Sequence, residues 1–239
     1  MTKVGVVLFP GSNCEQDVVE AVTDLGGEAA LLWHGDRSVG DVDAVVVPGG
    51  FAHGDYLRPG AIARFSPVMS AVAKFADDGG PVIGICNGFQ VLVKTGYLPG
   101  NPDHSQSVTL AANDSGRFQC HWVRLRREKS ACSWLSATDL SWDLPIAHGE
   151  GKFVTQDAKT LAALEKNRQI IFRYQGANPN GSVNAIAGID DKVDLAAVEG
   201  GFVAAAKAYG ERRGISYEVW REAGVPSEVL KKAGITRSS

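Results

Sequence analysis

Apolar positions in the first hundred residues gather into short unbroken runs at 4–9, 28–33, 44–47 and 81–85. Runs that are continuous rather than alternating predict strands covered on both faces, as in a parallel sheet. Between the runs the pattern changes to a helical period. Residues 15–25 place Val18, Val22 and Leu25 on one helical face, and Gly26-Gly27 stops that helix. Ser66-Pro67 opens a second helix, with proline in the tolerated first turn, and Asp78-Gly79-Gly80 ends it. A third begins near Asn87 and ends at Gly96. Strands alternating with helices predict an α/β fold with a doubly wound, mostly parallel sheet.

The middle of the chain reads differently. Runs at 108–112, 118–126, 144–147, 170–174 and 183–189 are strand-like and are separated by turn-rich segments such as Asn178-Pro179-Asn180-Gly181-Ser182. They are expected as antiparallel additions to the sheet. Past residue 189 the composition shifts to Ala, Glu, Lys and Arg at helical spacing. Helices are expected at 195–209, 216–223 and 227–233, with Tyr217, Trp220, Val225, Val229 and Leu230 forming a small apolar cluster. The division that follows is an α/β domain at 1–189 and an atypical helical tail at 190–239, whose role the sequence does not indicate.

Composition narrows the function classes. A formal net charge of -3 argues against a general nucleic-acid or anionic-membrane binder, so neither partner is expected. The four cysteines, Cys14, Cys86, Cys120 and Cys132, are scattered and form no CxxC pair. They read as reduced thiols in a cytoplasmic protein, not as a disulfide frame or a metal site. The first apolar run is too short for a signal-peptide core or a membrane span.

One of those cysteines stands apart. In Pro81-Val82-Ile83-Gly84-Ile85-Cys86-Asn87-Gly88-Phe89-Gln90 a buried strand runs through a G-x-C-x-G turn into an apolar helix. This is the cysteine form of a nucleophile elbow. Glycines on both sides let strand and helix backbones crowd together. The turn lifts the thiol out at the carboxyl edge of the sheet, where α/β ligand sites lie. A helix N-terminus there favours thiolate over thiol. A second strand, 45–47, ends in Pro48-Gly49-Gly50. The N–H groups of Gly50 and Asn87 are suited to an oxyanion hole for a tetrahedral intermediate.

With these residues in hand, the chain resembles the class I glutamine amidotransferases, and among them the glutaminase subunits of phosphoribosylformylglycinamidine synthases. The matching stretches are Phe9-Pro10-Gly11-Ser12-Asn13-Cys14-Glu15, Pro48-Gly49-Gly50-Phe51, His53-Gly54-Asp55-Tyr56-Leu57-Arg58, Gly60-Ala61-Ile62-Ala63, Gly84-Ile85-Cys86-Asn87-Gly88-Phe89-Gln90, Pro145-Ile146-Ala147-His148-Gly149-Glu150-Gly151 and Asn178-Pro179-Asn180-Gly181-Ser182. The resemblance implies a flavodoxin-like amidotransferase fold with Cys86 as the catalytic nucleophile. It implies L-glutamine as substrate, held in part by Gly49 and Gln90, and a glutamyl thioester that water cleaves. The ammonia would pass to a large synthetase subunit, accompanied by a small accessory subunit, which amidates formylglycinamide ribonucleotide. ATP and Mg would belong to that synthetase. No P-loop, cofactor or metal is expected on this chain.

The sequence departs from the family at one point. Class I amidotransferases carry a catalytic His-x-Glu pair soon after the strand matching 183–189. Here that stretch reads Asp190-Asp191-Lys192-Val193-Asp194-Leu195-Ala196-Ala197-Val198-Glu199, and no histidine follows His148. His148 and Glu150 repeat the spacing, within a segment the family carries in addition to its catalytic pair. His53 falls in the loop after Pro-Gly-Gly, where it could line the site. The alternative to an active glutaminase is therefore an impaired homologue acting as a binding or scaffold subunit.

Overall fold

A computed structural model of the chain describes residues 1–132, 135, 140–191, 195–223 and 225–237. They fall into two compact units, Met1–Lys192 and Val193–Ser239. None of the described helices is long and apolar enough to cross a membrane.

The first unit is organised around a parallel sheet of β1 (Lys3–Leu8), β2 (Glu28–Trp33), β3 (Ala44–Val47) and β4 (Val82–Gly84), in the order β2-β1-β3-β4. Val6 stands beside Leu31 on one side and Val46 on the other, and Val46 stands beside Ile83. α1 (Glu15–Asp24) packs on β1 and β2. Val7, Phe9, Val45 and Val47 meet Val68, Met69 and Val72 of α2 (Pro67–Asp77) and Val91 and Leu92 of α3 (Asn87–Thr95) in one core. Coverage of the sheet is incomplete: Ile83 is 40% and Ile85 48% exposed. With Val18, Val22 and Val46 they line an apolar groove, whose rim carries the exposed Leu25.

The antiparallel strands do not extend the parallel sheet, contrary to the sequence expectation. β5 (Val108–Ala111) pairs with β8 (Lys152–Thr155). β6 (Gln119–Arg127), β7 (Ser141–His148), β9 (Ile170–Gln175) and β10 (Ile186–Ile189) form a further sheet in the order β10-β9-β6-β7. These strands pair among themselves, and side chains join them to the rest. Val93 and Phe89 of α3 pack against Val108, Leu110, Phe153, Ile170, Ile186 and Leu164. α3 is thus wedged between two cores, which fixes the helix that follows the nucleophile.

Three local features differ from the pattern-based expectation. Residues 183–185 make a short 3-10 turn, with Asn184 and Ala185 at positive φ, which confines β10 to Ile186–Ile189. β8 and α4 (Ala158–Lys166) were not foreseen. α4 is short, but Asp157 caps it by accepting the Thr160 N–H at 2.8 Å, and Leu164 anchors it in the core.

The second unit comprises α5 (Leu195–Arg213), α6 (Tyr217–Glu222) and α7 (Ser227–Lys232). Tyr217, Trp220, Val225 and Leu230 meet as expected, joined by Val203, Ala206, Ala233 and Ile235. Val229 is not part of that cluster.

Candidate active site

The chain leaves β4 at Gly84, and the Ile85 N–H donates to the Val47 carbonyl at 3.0 Å. Cys86 then takes φ 52° and ψ -108°, and α3 begins at the next residue. A non-glycine residue at positive φ is uncommon and costs energy, and such strain concentrates at functional positions. Space around the elbow is as tight as its glycines suggested. A Cβ on Gly84 would stand 2.6 Å from the Gly88 carbonyl oxygen, and one on Gly88 would run into the Val47 carbonyl.

Cys86 opens into a cavity of about 230 Å³ shared with Gly50, Asp55, Arg58, Gln90, Ala147, His148 and Glu150. Its Sγ lies 4.0 Å from the Ala147 carbonyl oxygen. The Asn87 N–H donates toward the sulfur and favours thiolate, as a helix N-terminus should. Burial acts in the opposite direction and outweighs it, so the thiol is pushed up from its ordinary value, with smaller contributions from Cys14 and Asp55. The thiol opens to solvent at its tip, yet it sits among enough protein to lose hydration of the charged form. The first turn of α3 thus favours thiolate, as expected, while burial acts against it.

The Pro-Gly-Gly turn is held against the elbow. A Cβ on Gly49 would lie 3.5 Å from Cys86 Cβ and 3.3 Å from Cys14 Sγ. Gly50 has φ 128°, and a Cβ there would approach Asn13 N to 2.6 Å. Both glycines allow strand β3 to deliver backbone, not side chain, to the thiol.

Asn87 also organises the cavity through its side chain. Its Oδ1 accepts the Ala52 N–H at 3.0 Å, and its Nδ2 donates to Asp55 Oδ1 at 3.0 Å and Gln90 Oε1 at 2.9 Å. Gln90 donates in turn from Nε2 to the Glu150 carbonyl at 2.8 Å. Gln90 therefore ties α3 to the loop after β7, with both ends of its amide engaged by the protein. Glu150 Oε2 pairs with Arg58 Nη1 at 3.3 Å. Asp55 is raised in pKa by burial, then lowered by the Asn87 hydrogen bond, then raised again by the charge of Glu150.

The two candidate histidines separate. His53 does not line this cavity. Its ring lies against Phe9 and His34, with centroids at 5.9 and 5.4 Å, and Nε2 is 3.2 Å from Ser66 Oγ. His148 does line it. His148 Nδ1 is 3.2 Å from Asn113 Oδ1, and His148 Nε2 is buried with no hydrogen-bond partner among the described residues. Burial lowers the His148 pKa.

The sequence placed Asp55, Arg58 and Asn180 in family-matching stretches without giving them a role in the site, and did not single out Asn113. Asn113 is 3% and Asn180 1% exposed. Asn180 donates from Nδ2 to the Gly151 carbonyl at 2.8 Å and to Tyr174 Oη at 3.1 Å, which pins the loop carrying His148 and Glu150. Buried asparagines in turn-rich segments are the signal that could have found them, since a buried amide requires partners.

Residues 1–193 match the family model of the CobB/CobQ-like glutamine amidotransferase domain. The chain is 50% identical over 193 residues to phosphoribosylformylglycinamidine synthase subunit PurQ of Nostoc sp., covering 80% of this chain and 82% of that one. It is 50% identical over 198 residues to the PurQ subunit of Moorella thermoacetica, covering 78% and 80% of the two chains. Among solved structures, PurLQS from Thermotoga maritima matches with a TM-score of 0.65 and 34% identity, covering 79% of this chain and 84% of that chain. The chain belongs to the CobB/CobQ-like glutamine amidotransferases, and within them to the PurQ subunits of phosphoribosylformylglycinamidine synthase.

Proposed function

We propose that this chain is the glutaminase subunit of a cytoplasmic phosphoribosylformylglycinamidine synthase. The observation that carries this is Cys86, held at φ 52° on a strand-to-helix elbow and opening into a cavity beside Gly50. Cys86 Sγ attacks the side-chain amide carbon of L-glutamine. The N–H groups of Gly50 and Asn87 hold the oxyanion, with Gly49 keeping the approach open. Collapse expels ammonia and leaves a glutamyl thioester, which water cleaves to glutamate and free thiol. The ammonia passes to the large synthetase subunit, which uses ATP and Mg to convert formylglycinamide ribonucleotide to its amidine, with the small accessory subunit in the assembly. This chain itself needs no cofactor.

The base is assigned to His148, which acts directly or through one water. Among the chain's five histidines it is the one that lines the cavity. It takes the thiol proton and returns it to the leaving nitrogen. A second reading, an impaired scaffold subunit, is motivated by the absence of histidine after position 148. The deciding experiment is glutamine turnover by the full chain with its synthetase partner, beside Cys86→Ala. Turnover abolished by Cys86→Ala supports the glutaminase. Binding to the synthetase without turnover supports the scaffold.

A further inference from the structure

We infer that Asp55, with Glu150 beside it, selects the substrate by its α-ammonium group, so that the cavity accepts amides of α-amino acids and discriminates against simple amides. This inference deepens the glutaminase reading and rests on it.

Asp55 and Glu150 face the cavity that holds the thiol. Each carboxylate is felt by its neighbours: the charge on Glu150 makes Asp55 harder to ionise, and Asp55 does the same to Cys86. Two carboxylates bordering one small cavity repel each other, and Arg58 compensates Glu150 alone. Arg58 pairs with Glu150 with its side chain 55% exposed, whereas the Asp55 contact is with the neutral Asn87 amide. The cavity thus has a place for a positive group next to Asp55, and an ammonium brings three donors to it.

The placement is held by covalent and hydrogen-bonded structure. Asp55 is bonded to Asn87, the residue after the nucleophile, so the first turn of α3 sets the spacing between carboxylate and thiol. His53, Gly54, Asp55 and Leu57 all adopt positive φ, which turns this stretch sharply beside the elbow. In glutamine the amide carbon lies two methylenes from the α-carbon, so an amide at Cys86 leaves the α-substituents within the same cavity. Arg58 lines the same cavity and, with one Nη1 contact made to Glu150, keeps further N–H donors suited to the α-carboxylate. Negative, negative and positive groups around one cavity match a zwitterion.

The test compares labelling of Cys86 in the full-length protein by three electrophiles. Iodoacetamide has no α-ammonium, 6-diazo-5-oxo-L-norleucine has one, and 6-diazo-5-oxohexanoate is its des-amino counterpart. In Asp55→Asn, the efficiency of diazo-oxo-norleucine relative to iodoacetamide should fall about tenfold or more, the value of a hydrogen bond to a charged group. Labelling by the des-amino compound should be slow in wild type and no slower in the variant. Glu150→Gln, which keeps the backbone carbonyl that binds Gln90, should show a smaller loss of the same sign. An equal loss with all three electrophiles would mean that Asp55 only supports the elbow, and would overturn the inference. Undiminished diazo-oxo-norleucine labelling in both variants would overturn it too. Wild-type Cys86 that reacts with iodoacetamide but never with diazo-oxo-norleucine would instead defeat the glutaminase reading itself.

Discussion

Asn113 fixes the tautomer of His148. The Asn113 Nδ2 donates to the carbonyls of Arg117 and His148, both at 2.9 Å, so its Oδ1 must be the end facing the ring. That oxygen also accepts the Gly151 N–H at 3.1 Å, and His148 Nδ1 at 3.2 Å can only donate to it. The proton is then on Nδ1, and Nε2 keeps its lone pair, the form that the proposed base role requires. His148→Ala should lower kcat for glutamine by about 10²–10⁴-fold, the range for loss of general acid–base catalysis, with KM little changed. Steady-state glutaminase kinetics with the synthetase partner check this, and unchanged kcat would remove His148 from the mechanism.

The pH dependence follows from His148 and Cys86. Burial lowers the His148 pKa, so its neutral form persists to lower pH than that of a free imidazole. The acid limb of kcat/KM should therefore lie below about pH 6.5, the unperturbed histidine value. The Cys86 thiol is shifted the other way by its burial. Alkylation of Cys86 by iodoacetamide should keep accelerating beyond about pH 8.5, where an ordinary thiol is already half ionised. Mass-spectrometric labelling rates from about pH 6 to 10 check the thiol, and kcat/KM measured down to about pH 5 checks the histidine.

The elbow leaves no space for side chains at its glycines. A Cβ on Gly88 would run into the Val47 carbonyl, at a point where β3 and α3 are both held by the main core. Gly88→Ala should cost about 1–3 kcal/mol through overpacking and displace the thiol from its cavity. Calorimetry and Cys86 labelling should both register the change. Gly116→Ala is a useful contrast, because nothing lies within 4 Å of a Cβ there, although its φ of 64° carries a strain cost of its own. It should lower the melting temperature without altering Cys86 labelling.

The elbow was legible in the sequence because its constraints are local: Gly84, Cys86 and Gly88 sit within five positions, between an apolar strand and an apolar helix. The positions of the parallel strands along the chain were legible for a similar reason, as each run is bounded by its own turn. What escaped was set by long-range partners. The antiparallel strands look like candidates for sheet extension, but whether they pair with β4 or with one another depends on contacts such as Arg124 with Gln175, far apart in sequence. Asp55 escaped because its role comes from Asn87, and Asn113 because its role comes from a ring 35 positions away. The affinity of a helix N-terminus for thiolate was read correctly in direction, but burial, which no linear pattern reports, outweighed it.

Asn180 is the furthest support of the site that the structure makes testable. Its Oδ1 accepts the Ser182 N–H at 3.0 Å and the Ser182 hydroxyl at 2.7 Å, and Ser182 Oγ accepts the Phe153 N–H at 2.9 Å. Through Nδ2 it holds Gly151, and so connects the turn before β10 to the loop that carries His148 and Glu150. Removing the side chain leaves the Gly151 carbonyl and the Tyr174 hydroxyl without these donors in a buried place. Asn180→Ala should cost about 1–3 kcal/mol for each buried group left unsatisfied. Asn180→Asp keeps the acceptor for Ser182 but loses both donations, and puts an unpaired charge in a site that is 1% exposed. It should be the more damaging of the two, despite being nearly isosteric. Thermal unfolding of both variants, with glutaminase kcat measured below their transitions, tests the ranking. An aspartate variant as stable as wild type would show that Ser182, rather than Gly151, is the partner that matters.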